Sequence, residues 1–148
     1  MTDETAKTYL RRIRQEQREI LLLMEQRERL RFSLYGRAIQ YDQDKVQSSP
    51  EDTLSERLAE ICDMDDLIVE HVKEMDARTV EAFRIIIQIN EPTSRMLLEL
   101  YYLSLNKDGR LYSWDDIADE LDCSRKYLLN ILHPHALALF DEKRTQYG

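Results

Sequence analysis

Apolar residues at Leu10, Ile13, Ile20, Leu23, Met24, Leu30 and Leu34 fall three, four or seven positions apart. That spacing puts them along one helical face and predicts a helix from about Asp3 to about Tyr41. Glu and Arg fill the positions between, some as i,i+4 pairs such as Glu25 and Arg29. At about 1.5 Å per residue the helix spans roughly 50 Å, too long to be buried in so small a protein. Gly36 weakens it near its end.

A polar stretch, Tyr41 to Ser49, separates this helix from the next. Ser49 suits an N-cap, Pro50 the first helical position, and Glu51 and Asp52 the positive end of the helix dipole. Stepping by four and three from Leu54 gives Leu54, Leu58, Ile61, Asp65, Ile68, Val72, Met75, Thr79, Ala82, Ile86 and Ile89, nine of eleven apolar. A seam of that period is the mark of a coiled coil, in which Asp65 and Thr79 would fix register or oligomer state. Met64, Leu67, Phe83 and Ile85 widen the stripe toward further partner helices. The expectation is an antiparallel hairpin of two long helices over residues 1–91. It would associate with a second copy through Leu54, Leu58, Ile61, Ile68, Val72, Met75, Ile86 and Ile89.

Pro92 disfavours helical geometry at Glu91 and closes the second helix. Residues 92–148 then read as a small separate domain. Arg95 to Leu103 form a short apolar helix, and Asn106 to Arg110 a turn whose Asp108-Gly109 also suits the tip of a small hairpin. Ser113 and Asp116 are spaced as a capping box. Ile117 and Ala118 face inward and Leu121 closes the helix. Asp122 takes a turn position that needs a left-handed backbone, which Asp tolerates less well than Gly. Cys123 is a small anchor, Ser124 caps the following helix, and Leu128 and Ile131 return to the core. Helices at these offsets around a short turn match the DNA-binding helix-turn-helix. The predicted class is all-α, a long helical hairpin followed by this domain.

Composition and charge narrow what such a fold can do. Three Gly and three Pro leave few breaks, and no run of residues is apolar enough to span a membrane. The charged N-terminus has no apolar signal core, so the expected compartment is cytoplasmic. Cys62 and Cys123 stand apart from each other and from ligand spacing, as reduced structural thiols do. A net charge of -8 opposes indiscriminate nucleic-acid binding. The excess is local: residues 1–50 carry +2, residues 51–91 carry -8 and residues 92–148 carry -2.

No phosphate loop, nucleophile set or carboxylate pair is legible, so neither catalysis nor a cofactor is expected. His133 and His135 lack further ligands and read as solvent or phosphate contacts rather than a metal site. Asn106-Lys107-Asp108-Gly109 reads as a turn rather than a calcium loop. Arg11, Arg12, Arg14 and Arg18 alternate with Glu16 and Glu19, which favours an ordinary charged helix over a nucleic-acid surface.

The strings RMLLELYYL, from Arg95, and SWDDIADELDCSRKYLLNILHPHALALF, from Ser113, resemble region 4 of the sigma-70 family. Together with VQSSP at residues 46–50 they resemble more closely the late transcription regulators of the RinA and ArpU type from phages of Gram-positive bacteria, and their VQSSP-containing relatives. The resemblance covers nearly the whole chain. It implies that the helix from Ser124 enters the major groove of double-stranded DNA. Ser124, Arg125, Lys126, Tyr127, Leu129, Asn130 and His133 would face the duplex, with Arg125 on guanine or phosphate, Lys126 on phosphate and Asn130 on an adenine edge. Host RNA polymerase and a second copy of the chain are the implied protein partners.

Two departures matter. Pro134-His135 stands where relatives carry Gly-Arg, and Pro134 is expected to kink or stop the recognition helix. The helix before it bears Asp115, Asp116, Asp119 and Glu120, with Asp122 in the turn, all of which repel phosphate. Two other functions fit the pattern: a packaging DNA binder similar to a terminase small subunit, and a coiled-coil interaction protein that has lost DNA binding.

Overall fold

The computed structural model describes residues 4–44 and 50–147, with side chains over 4–36 and 54–146. The chain is all-α. Helices α1 (Ala6–Asp44) and α2 (Pro50–Ile86) form the expected long hairpin. They are followed by α3 (Pro92–Leu98), a π turn (Glu99–Leu103), α4 (Trp114–Glu120), α5 (Arg125–Tyr127), a second π turn (Leu128–Leu132) and α6 (His133–Tyr147). Pro50 opens α2 as its position predicts. The Ser49 cap and the rest of the VQSSP string lie outside the described residues.

The boundaries of the third segment follow local chemistry. Glu91 is extended (φ -86°, ψ 111°) ahead of Pro92, which takes the first position of α3. Asn106 accepts from the backbone N–H groups of Asp108 and Arg110 at 2.9 and 3.0 Å, and Gly109 supplies a positive φ of 75°. The chain reverses there and Leu105 bridges antiparallel to Leu111, the small hairpin that Asp-Gly suggests.

The chain divides into two compact units, and not at residue 91. One comprises Met1–Arg18 with Met75–Gly148, the other Glu19–Glu74. In the first unit Ala6, Leu10 and Ile13 of α1 and Ala82, Ile85 and Ile86 of α2 share one core with Ile89, Leu97, Leu98, Tyr102, Ile117, Leu128, Ala136 and Phe140. The ends of the long helices are therefore part of the C-terminal domain's own core. Glu16 pairs with Arg78, and Arg144 donates to the Glu4 carbonyl and to Asp141 at 2.8 Å, tying α6 to the start of α1.

In the second unit the two long helices have no third layer among the described residues. Ile20, Ile61 and Ile68 are buried, and Arg27 donates to Asp65 at 3.0 Å with Arg31 3.8 Å away. Met24, placed inward by its spacing, is exposed, as are Phe32, Tyr35, Leu67 and Val69.

These contacts redraw the expected oligomerisation seam. The period is real, but the chain itself occupies most of it. Ile86 and Ile89 are 0% and 1% exposed and have no surface left for a second copy. Ile61 and Ile68 are also buried, Leu54, Val72 and Met75 half-buried, and only Leu58 of the set is open, at 53%. Asp65 answers Arg27 of the same chain, and Thr79 donates to the Met75 carbonyl at 2.9 Å. The polar seam positions are thus satisfied without a partner. No helix among the described residues is long and apolar enough to cross a membrane.

Candidate nucleic-acid interface

Capping and turn chemistry set the geometry of α4 and α5. Ser113 Oγ accepts from the Asp116 N–H at 3.1 Å, and Asp116 Oδ2 accepts from the Ser113 N–H at 3.0 Å, a complete capping box. Those hydrogen bonds hold the Asp116 carboxyl below its ordinary range. At the other end the Cys123 N–H reaches the Ala118 carbonyl at 3.0 Å and the Asp122 N–H that of Asp119 at 3.2 Å. This is a Schellman ending, and its left-handed residue is Asp122, at φ 54°. Ser124 Oγ then accepts from the Tyr127 N–H at 3.1 Å and starts α5. Ile117, Ala118 and Leu128 are buried where α4 and α5 meet the core.

Beyond Leu128 the structure departs from expectation. Pro134 does not end the helix. Tyr127, Leu128 and His133 all keep right-handed helical torsions, and the helix runs on to Tyr147. Proline lacks an N–H and crowds the carbonyl four residues back. The turn just ahead of it is opened to π geometry, with the His133 N–H on the Leu128 carbonyl five residues earlier. The extra residue in that turn advances the register by one. Ile131, expected in the core, is rotated out to 53% exposure, while His133, expected at the surface, is turned in to 7%.

His133 is therefore no phosphate or solvent contact. It shares a hydrogen bond of 2.6 Å with the Tyr102 hydroxyl, and the Trp114 ring meets it edge-on at 4.6 Å. Burial, then the charge of Lys7, pushes its pKa down to about 4, so the imidazole is neutral at pH 7. Burial likewise raises Tyr102. His135 lies on Glu91 at 2.8 Å, so the two histidines are engaged separately.

The other residues expected on DNA divide cleanly. Ser124, Arg125, Lys126, Tyr127 and Asn130 are exposed. Leu129 is half-buried, in the wall of a cleft. Arg125 stands 3.7 Å from Asp115 with both side chains solvated, a weak restraint. Asp115, Asp116, Asp119 and Glu120 are all exposed on α4.

The cleft beside Leu129 and His133 has a volume of about 430 Å³ and is otherwise lined by α1 residues and by aromatic rings. Lys7, Arg11, Arg14 and Arg18 contribute from α1, with Tyr101, Tyr102 and Trp114 opposite. Arg14 is bound up in structure. It donates to the carbonyls of Tyr101 and Tyr112 at 2.6 and 2.7 Å, and its guanidinium lies 3.8 Å over the Tyr101 ring. Tyr101 also stacks on Trp114 at 3.7 Å, 14° from parallel. Both faces of that ring are thus taken.

By sequence, Arg11, Arg12, Arg14 and Arg18 interleaved with Glu16 and Glu19 read as an ordinary charged helix, and Lys7 is not among them. The discriminating signal was spacing: 7, 11, 14 and 18 lie four, three and four apart, on one helical stripe that carries no acid. Glu16 belongs to another face, on Arg78. No family model, curated protein or solved structure matches the chain.

Proposed function

We propose that this protein is a phage or prophage transcription regulator whose α4–turn–α5 unit reads duplex DNA. The observation that carries the reading is the joint geometry of the Ser113 box, the left-handed Asp122 and the Ser124 cap, with Leu128 inside and Lys126 and Asn130 outside. A helix started in this way offers its first exposed residues to base edges. Pro134 does not stop the helix, which runs on to Tyr147 through the π turn at Leu128–Leu132. The phage context rests on the resemblance to RinA- and ArpU-type regulators alone.

Binding to phage genomic fragments at low and moderate salt is the direct test. Wild type is expected to prefer some fragments over random DNA. Arg125→Ala with Lys126→Ala should weaken all binding, and Asn130→Ala should erode the preference by about 1–3 kcal/mol. If no fragment outcompetes random DNA and these variants change nothing, the DNA-reading function is wrong.

The exposed acids of α4 favour one second reading, a module that docks a protein such as RNA polymerase. Retention of polymerase on the immobilised chain, without any DNA shift, would select it. The proposed association of two copies has to use residues other than the buried seam. Sedimentation of the full chain reads its stoichiometry, and a ring-sized assembly would point to the packaging function instead.

A further inference from the structure

We infer that the cleft between α1 and the Ser124 helix takes phosphodiester groups of the DNA strand flanking the groove, with Arg11 and Arg18 as principal ligands and Lys7 as a third. The inference rests on the proposed DNA-reading function and names where its phosphate attraction resides.

Three observations support it. First, the charges converge on one space and lack partners. Lys7, Arg11 and Arg18 form no ion pair among the described residues, and no carboxylate lines the cleft. Along α1 the residues three and four away from Arg11 and Arg18 are Lys7, Thr8, Arg14, Gln15, Leu21 and Leu22, none of them acidic. Lys7 acts on His133, Arg11 on Tyr102 and Arg18 on Arg14, so all three fields reach the same cavity. Like charges held this close repel one another until an anion enters.

Second, the cleft lies against the candidate reading helix. Leu129 and His133, on the helix begun at Ser124, form part of its wall. A phosphate strand bordering an occupied major groove runs beside that helix. The acids of α4 exclude one side, whereas the α1 stripe offers the opposite charge on another. In a chain with a net charge of -8, phosphate attraction has to be local to exist at all.

Third, the Tyr101 ring in the aromatic wall is closed to a base. Tyr101 is held between Arg14 and Trp114, and Trp114 has its other neighbour, His133, 4.6 Å away at 64° between ring planes. A nucleotide would need a free ring to stack on, whereas a backbone phosphate needs only the cations. Arg14, fixed by two carbonyls, positions the rim of the cleft and leaves Arg11 and Arg18 free for the anion.

The test uses the full chain and an Arg11→Gln, Arg18→Gln double variant, with Arg11→Lys, Arg18→Lys as the conservative control. Each phosphate contact contributes about 0.9 to the slope of log affinity against log salt. Losing two should flatten that slope by about 2, so the wild-type advantage shrinks roughly tenfold between 50 and 200 mM salt. The loss should be equal on preferred and random fragments, and the lysine variant should retain the slope. Trp114, the sole tryptophan, lines the cleft, and its fluorescence should change on DNA binding in wild type but not in the glutamine variant.

Unchanged thermal unfolding of the variants ties any effect to binding. If the slope is unaltered while Asn130→Ala still erodes preference, the cleft assignment fails and DNA reading stands. If wild type binds no duplex, both fall. Saturable quenching of Trp114 by pyrophosphate that leaves DNA binding untouched would reassign the site to a free phosphorylated ligand and overturn the proposal.

Discussion

The same two helices build two unequal regions. Toward their outer termini, over Ala6–Arg18 and Met75–Ile86, α1 and α2 present apolar stripes that the C-terminal helices cover from further sides. Leu10, Ile13, Ala82, Ile85 and Ile86 lose essentially all contact with water there. Over Glu19–Glu74 stripes of similar period meet each other, with no further layer among the described residues. Burial is incomplete, and Leu22, Phe32, Leu58 and Val69 stay exposed. The difference teaches that a clean heptad does not by itself announce a partner chain. Burial is set by how many layers fold back on the stripe, and in the first region the chain supplies them itself.

The largest expected effect contrasts the two regions directly. Ile86→Ala should cost about 4 kcal/mol, because it opens a cavity in a fully packed core. Leu58→Ala should change stability by less than ~0.5 kcal/mol. Equal costs in urea unfolding would mean that Leu58 is covered in solution, and would restore the oligomer seam.

A second contrast comes from acid. His133 lies in the first region, and burial holds its folded pKa at about 4, below the ordinary histidine value of 6.5. Between those values the unfolded chain binds a proton that the native chain refuses. Stability is therefore full above pH 6.5 and declines toward pH 4, by up to ~3 kcal/mol. Hydrogen exchange at Leu97, Leu98 and Leu128 should accelerate over that range, and His133→Gln should blunt the change. An unaltered profile in the variant would contradict the assignment of His133 as a buried neutral group.

Arg14→Ala should cost about 2 kcal/mol, since it orphans two carbonyls and uncovers Tyr101. Arg29→Ala, on an exposed pair of the second region, should cost ~0.5 kcal/mol or less. One substitution has the opposite sign. Asp122→Gly should stabilise by ~1 kcal/mol, because glycine carries no penalty at φ 54°. Thermal unfolding of the two variants would register both.

What was legible in the residue string was whatever is decided within a few residues. Ser113 with Asp116, the left-handed Asp122, the Ser124 cap and the Asp108-Gly109 reversal are settled by bonds spanning three to five positions. The seam's period was legible too, but not its occupant, since Leu97, Ala136 and Phe140 arrive from distant segments. The inward turn of His133 was hidden because helical counting assumes a uniform pitch, and Pro134 changes the pitch just ahead of itself. The cationic cleft was half visible: the stripe on α1 was in the string, while the walls of Tyr101 and Trp114 came only with the fold.

The π turn at Leu128–Leu132 has a consequence for anyone placing this chain beside a protein whose corresponding helix is regular. Against a regular helix, the residues before and after this turn cannot both be matched without a gap. One residue of this chain, between Leu128 and His133, has no counterpart. An ungapped pairing would set Ile131 against core positions and His133 against surface ones, and would misassign every residue from there to Phe140.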